Sequence, residues 1–358
     1  MTKSIYVTST QNFSGKSAVC VELIRHFRSH GLKTGYMKPL STSPAILDGK
    51  ITDEDAVFVK ATFDLADPVE TMAPAILNSG IIENILKGAA QRLAKDVKSA
   101  FSTIANGKDM VVLEGGASLR EGWFVDLAPP QTGPMLGAKA LVVVPFEKEL
   151  QVLDDIITAK VRLGGSMLGA IINRVPPNKT AFAEGVIRPY LEKRGVPVFA
   201  ILPKEKLLMA ASVAEILDGL GGEVLCAREN LEGLVETLMV GAMSFESAIK
   251  FFRRKRNKAV ITGGDRPDIQ LAAIETSTKC LILTGGLRPS PMIIGKAEEA
   301  GVPVILTNLD TMGAIETIEN FFGKTRFHQP QKLAHIEKLF KEYMNFERLY
   351  SMMEIKIA

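Results

Sequence analysis

The triplet Gly15-Lys16-Ser17 sets an ammonium and a hydroxyl beside a glycine, the residue types that grip phosphate oxygens and a divalent metal. A phosphate-binding loop needs backbone N–H groups converging on the oxygens, a helix N-terminus behind them and a lysine for the negative charge. It also needs a Ser or Thr hydroxyl for Mg²⁺. Within TSTQNFSGKSAV, residues 8–19, Lys16 and Ser17 meet the second half of that requirement. The first half departs from the usual spacing, because Thr10 stands where a glycine is expected. Taken alone, the stretch has two readings. It is either a nucleotide loop built from Ser9, Thr10, Gln11, Asn12, Phe13, Ser14, Gly15, Lys16, Ser17 and Ala18, or a Gly-Lys-Ser turn that caps a helix.

Carboxylates elsewhere bear on that choice. Glu114 closes the apolar run MVVLEG and precedes Gly115 and Gly116; a carboxylate there can meet a metal held by Ser17. Asp53 and Asp55 open a helical pattern, where they serve either a metal or the positive end of the helix dipole. Later in the chain Thr262-Gly263-Gly264-Asp265-Arg266-Pro267 recurs as Thr284-Gly285-Gly286-Leu287-Arg288-Pro289, each copy where a strand turns into a helix. Gly263, Gly264, Asp265, Arg266, Gly285, Gly286 and Arg288 then admit two readings. They form an anion or nucleotide site at the carboxyl edge of a sheet, with Asn308 and Asp310 beside it. Otherwise they make two tight turns, with Asp265 as a helix cap and the arginines paired to surface carboxylates.

The elements that must position these groups follow from periodicity. SIYVTS (4–9), KTGYMKP, MVVLEG (110–115), ALVVVP (140–145), LGAIINR (168–174) and VPVFAIL (196–202) are apolar runs of strand length. Helical spacing separates them, with Val19, Leu23, Ile24 and Phe27 marking the first helix up to Gly31. The spacing of Ile82, Ile85, Leu86, Ala89, Leu93, Val97, Ala100, Phe101 and Ile104 predicts one long amphipathic helix over 81–106. Alternation of this kind predicts a parallel sheet with helices on both faces. After Pro203 a second strand–helix series begins, with AVITGG, CLILTGG and VPVILTN. RFHQPQK then breaks the chain before a terminal helix carrying Leu333, Ile336, Leu339, Phe340 and Tyr343, whose apolar face packs on its own domain or docks a partner.

Composition narrows the class. At 358 residues the chain calls for two domains. A net charge of +3 supplies no strong field for nucleic acid or membrane, and Arg253-Arg254-Lys255-Arg256 reads as a solvated helix end. Cys20, Cys226 and Cys280 lie in apolar runs without a CxxC or Cys/His pattern, as buried thiols of a reducing compartment do. With no signal peptide or membrane span in view, the expected location is cytoplasmic.

The first ~205 residues resemble the dethiobiotin synthetase family of P-loop proteins, whose loop carries one extra residue, so that Ser9 takes the place of its first glycine. In line with that resemblance, Lys38-Pro39 ends a strand, Asp55 (or Asp53) matches an acidic Mg²⁺ ligand, and Glu114-Gly115 ends another strand. Asn173 in IINR matches an asparagine that reads adenine. The second half, ITGGDRPD with LILTGG and VPVILTN, is similar to the DRTGG domain. Together they resemble the amino-terminal half of long-form phosphotransacetylase. The fold this implies is α/β: a P-loop NTPase parallel sheet at 1–210, a smaller α/β DRTGG domain at 211–326 and a helical tail at 327–358.

The resemblance implies ATP and Mg²⁺ as cofactors, with Mg²⁺ on Ser17, Asp55 and Glu114. The expected function is a regulatory ATP-binding protein that senses an effector or forms homo-oligomers through its DRTGG domain. A separate phosphotransacetylase catalytic chain is its expected partner, and no acetyl transfer is expected from this chain alone. Two alternatives stay open. One is an ATP-dependent ligase of the dethiobiotin synthetase or cobyrinate diamide synthase type, in which Lys16 and Lys38 are catalytic. The other is a scaffold whose nucleotide site is dead.

Overall fold

In a computed structural model of the protein, the structure describes residues 2–47, 49–89, 92–319 and 329–356. The chain divides into two compact units: Met1–Lys204 with Leu333–Ala358, and Glu205–Lys332.

The first unit is built on strands β1 (Lys3–Ser9), β2 (Thr34–Met37), β5 (Met110–Glu114), β6 (Lys139–Pro145), β7 (Met167–Val175) and β8 (Val198–Pro203). They form one parallel sheet in the order β2-β5-β1-β6-β7-β8. Their apolar runs are buried on both faces, as the strands of a covered parallel sheet must be. A short antiparallel hairpin, β3 (Pro44–Leu47) and β4 (Lys50–Asp53), stands apart from the sheet. Val152, Ile156 and Ala159 of helix Glu149–Leu163 pack in one core with Ala140, Val142 and Val144 of β6.

Register is what assembles the site. Val7 of β1 lies beside Glu114 of β5, and Met37 of β2 lies beside Leu113. The carboxyl ends of β2, β5 and β1 are therefore level, with Lys38, Glu114 and the loop after Ser9 at one edge. Strand order reverses beside β1, and open α/β sheets bind ligands outside the strand ends at such a switch point.

One expectation meets a different outcome, and one open alternative is decided. The single helix over 81–106 is two helices, Ser79–Leu86 and Leu93–Ala105. Gly88, at φ 89°, follows the first as its left-handed terminator. Only the second half is anchored, through Val97, Ala100 and Ile104; Ile82 and Leu86 face solvent. The terminal helices Pro330–Tyr343 and Phe346–Met353 bury Ile336, Leu339 and Phe340, so the own-domain alternative is the one observed. Their seat is the phosphate-loop helix α1 (Lys16–Ser29): Phe346 stacks on His26 with ring centroids 3.4 Å apart, and Tyr350 meets Phe27 edge-on. Asn345 N–H also donates to the Phe199 carbonyl at 2.9 Å.

The second unit holds strands β9 (Ala211–Ser212), β10 (Glu223–Cys226), β11 (Leu234–Val235), β12 (Thr237–Val240), β13 (Lys258–Gly263), β14 (Thr278–Thr284) and β15 (Val304–Leu306). The five-stranded sheet runs β10-β15-β14-β13-β12, with β10 the antiparallel edge strand. Asn320–His328, which include the first three residues of the expected RFHQPQK break and the 326/327 limit, lie outside the described residues. Among the described residues no helix is long and apolar enough to cross a membrane.

Candidate functional site

The loop between β1 and α1 is held from several sides. Gly15 sits at φ 96°, a conformation an L side chain rarely adopts. A Cβ there would also stand 2.5 Å from the Asn173 amide nitrogen. Ser9, the residue in place of the first glycine, is buried and keeps out of the left-handed region. Its Oγ donates to the Gln11 carbonyl at 2.5 Å and accepts the Gln11 N–H at 3.1 Å, so the serine closes the turn itself. Thr10 donates to Asp155 at 3.1 Å, tying the loop to the helix after β6. Asn12 and Phe13 are exposed at the loop tip.

Polar groups inside the loop are left waiting. The hydroxyls of Thr8 and Ser14 and the Gln11 amide nitrogen are buried without a partner among the described residues. The Lys16 side chain is only 8% exposed, and its ammonium makes no hydrogen bond or ion pair among the described residues. Burial pushes its pKa down, against the pull of Glu114. Buried polar groups without hydrogen bonds are costly; an anionic ligand in the loop offers partners to these groups and to the Lys16 ammonium.

Beside the loop stands a carboxylate cluster. Ser17 Oγ donates to Glu114 Oε1 at 2.5 Å, and Tyr36 OH donates to Glu114 Oε2 at 2.8 Å. Burial and then the charge of Asp55 raise the Glu114 pKa. Lys38 bridges Asp55 at 2.6 Å and Asp53 at 2.9 Å. Burial by itself would lower the Lys38 pKa, but Asp55, Glu114 and Asp53 hold it well above its ordinary value. Asp53 is committed to structure: it caps helix Glu54–Phe63 through the Ala56 N–H and accepts from Ser41. Asp55 is bonded to Lys38 and has no bond to Ser17 or Glu114. Ser17 and Glu114 fit a Mg²⁺ ion bound together with phosphate oxygens, and Asp55 adds negative charge beside them. Among the described residues no three His, Cys, Asp or Glu side chains converge.

Asn173, at the end of β7, donates to the Ser14 carbonyl at 2.8 Å and accepts from the Arg174 N–H. That uses one of its two N–H groups and one lone pair. One donor and one acceptor are left, the pair an adenine edge requires.

Sequence reasoning missed Tyr36 and Glu121. Tyr36 had a signal: it lies two residues before Lys38 on a strand, hence on the same face. Glu121 had none, because it reaches the site from a loop.

In the second unit the two Thr-Gly-Gly turns lie side by side. A Cβ at Gly264 would overlap the Leu287 carbonyl, so backbone packs on backbone there. Gly285 and Gly286 have φ values of 77° and 68°. Arg266 pairs with Asp268 at 3.1 Å and donates to the Met243 carbonyl, and Arg288 pairs with Glu223 at 2.6 Å. Asp310 caps the helix beginning at Thr311 through the Gly313 N–H. The side chain of Asn308 lies against Gly286.

Residues 3–212 match the family described as an AAA domain, which is more than half of the chain. The chain belongs to that AAA-domain family. Residues 215–321 match the DRTGG domain. A phosphate acetyltransferase of Synechocystis sp. is 24% identical over 99% of this chain and 52% of its own length. A second, from Nitratidesulfovibrio vulgaris, is 24% identical over 98% and 52%. The chain thus spans about half the length of the curated relatives it matches. A cobyric acid synthase of Clostridium perfringens is 26% identical over 56% of this chain and 46% of its own. Among solved structures, the CBS and DRTGG domains of a Clostridium perfringens pyrophosphatase bound to diadenosine tetraphosphate are 23% identical, with a TM-score of 0.30, covering 42% of this chain and 73% of that one.

Proposed function

We propose that the P-loop unit binds Mg·ATP and that the protein is regulatory, its DRTGG domain sensing a small-molecule effector or holding subunits together. The observation that carries this reading is Lys16: a buried residue whose ammonium has no partner among the described residues, at the start of a 14-residue helix, beside a hydroxyl already bonded to a carboxylate. Lysine and helix N-terminus take the β- and γ-phosphates, and Asn173 takes the adenine edge. Ser17 and Glu114 would hold Mg²⁺, with Asp55 nearby, and the metal would neutralise phosphate charge. Likeness to phosphate acetyltransferases along nearly the whole chain supports a role in acetyl-phosphate and acetyl-CoA metabolism, exerted on a phosphotransacetylase catalytic chain by a cytoplasmic homo-oligomer.

Calorimetric titration with Mg·ATP tests the reading. Lys16→Ala should weaken binding about a hundredfold, the loss of a charge-assisted contact to phosphate. Equal affinity in the two proteins would sink the assignment.

The match to a cobyric acid synthase favours a second reading, an ATP-dependent ligase in which Lys16 and Lys38 stabilise charge during phosphoryl transfer. ADP release stimulated by a carboxylic acid or an amine separates it from the first; a regulatory site turns over at one slow rate regardless.

A further inference from the structure

The elements that carry the candidate nucleotide site at one end meet around a cavity at the other. Helix α1 begins with Lys16 and Ser17 and holds Arg28 in its last turn, and β2 begins with Thr34 and leads into Lys38. Helix Glu54–Phe63 has Asp55 in its first turn and runs out into Asp64 and Leu65. Lys108 precedes β5, which ends on Glu114. Arg28, Lys33, Thr34, Asp64, Leu65 and Lys108 line a cavity of about 320 Å³ there, by the amino ends of β2 and β5, where Thr34 pairs with Met110.

Three cations and one carboxylate, Asp64, line the cavity. Arg28 suits the helix dipole where it stands, but Lys33 and Lys108 lie on loops and have no such reason to be there. The Lys33 carbonyl accepts the Asp109 N–H at 2.8 Å, and the Lys33 N–H donates to Asp109 Oδ2 at 2.8 Å, so the two lysine-bearing segments are fastened together. Lys108 comes no nearer than 3.9 Å to Asp67, and Lys33 makes no ion pair among the described residues. Thr34 is 5% exposed, and its Oγ1 is buried without a hydrogen-bond partner among the described residues. Such a hydroxyl costs stability until something bonds it. At roughly ten times the ~30 Å³ share of a water, the cavity has room for more than a bare phosphate, and Leu32 and Leu65 give an organic body an apolar wall. We propose that the cavity binds a small phosphate monoester, its phosphate held by Arg28, Lys33, Lys108 and the Thr34 hydroxyl, and that its occupant shifts nucleotide affinity through the elements the two sites share. The coupling rests on the Mg·ATP reading; the cavity site does not.

The experiment is calorimetric titration of the full chain with glycerol 2-phosphate and with inorganic phosphate, carried out on Lys16→Ala so that the phosphate loop contributes little. The ester should bind at one site, about tenfold more tightly than inorganic phosphate. Adding Lys33→Glu, at an exposed position, should weaken the ester at least about tenfold. Adding Thr34→Val, which suits a strand, should weaken it about fivefold, one hydrogen bond. No binding at millimolar ester, equal affinity in the Lys33→Glu protein, or inorganic phosphate bound as tightly as the ester overturns the proposal. With Lys16 intact, saturating ester should change the Mg·ATP Kd at least about fivefold, and Lys33→Glu should abolish that change; a Kd that the ester leaves unmoved overturns the coupling. Failure of the parent to bind Mg·ATP at all would remove the functional reading and the coupling with it, while the ester titration still decides the cavity.

Discussion

Tyr36 illustrates how a residue outside every motif can set a site's geometry. Its hydroxyl and that of Ser17 hold opposite oxygens of Glu114, so the carboxylate is fixed at both ends, as the proposed Mg²⁺ site requires. Carboxylates presented to a metal in one orientation bind it better than those that must be ordered on binding. Tyr36→Phe removes one hydrogen bond worth about 1 kcal/mol. Mg²⁺-dependent ATP affinity should fall about fivefold, while affinity in EDTA is unchanged. Titrations with and without the metal check this; an equal loss in both would mean that Tyr36 supports the fold rather than the carboxylate.

At the scale of elements, α1 links the site to the carboxy-terminal helices. Lys16 and Ser17 begin it, and Glu22, Arg25 and His26 lie where helices Pro330–Tyr343 and Phe346–Met353 cover it. Glu22 is buried, and burial pushes its carboxyl up to about 7 from an ordinary 4.5, with Arg25 opposing and Glu337 adding to the rise. The folded state therefore keeps a proton that the unfolded chain releases. Its cost to stability is absent below about pH 4.5 and grows as pH rises through about 7. Glu22→Gln removes that cost. At pH 8 it should melt about 3 °C above the parent, for ~1 kcal/mol, and the gap should close by pH 4.5. A gap independent of pH would show that Glu22 is already ionised in the fold.

For the whole molecule, the first unit is discontinuous in sequence. A chain ended at Lys204 loses the cover that Phe346 and Tyr350 give to His26 and Phe27, and the buried Leu349 with them. Each fully buried apolar side chain contributes about 1.5–3 kcal/mol, and a domain has only about 5–15 kcal/mol to lose. Residues 1–204 alone should melt without a cooperative transition, as followed by circular dichroism; a sharp melt near that of the full chain would show that the tail is dispensable. The second unit carries cores of its own, such as Val260, Leu281 and Leu283 with Ile269.

Much of this was legible in the residues. Apolar runs of strand length alternating with helical spacing determined a covered parallel sheet, because only a strand buried on both faces can be apolar throughout. Gly15-Lys16-Ser17 after the first run, and Glu114 at the end of another, favoured a phosphate loop over a helix cap, since those residue types meet at the strand–helix turns that grip phosphate. Tertiary structure decided the rest. Strand order put Glu114 beside Val7 and so beside the loop. The fold also made Asp53 a helix cap while Lys38 bridges it to Asp55, a distinction that two acids two residues apart do not carry. It turned the terminal helix inward, and it brought Glu121 to Thr42. These are contacts between segments far apart in the chain, and periodicity, which reports only which face of an element is buried, says nothing about what lies against it.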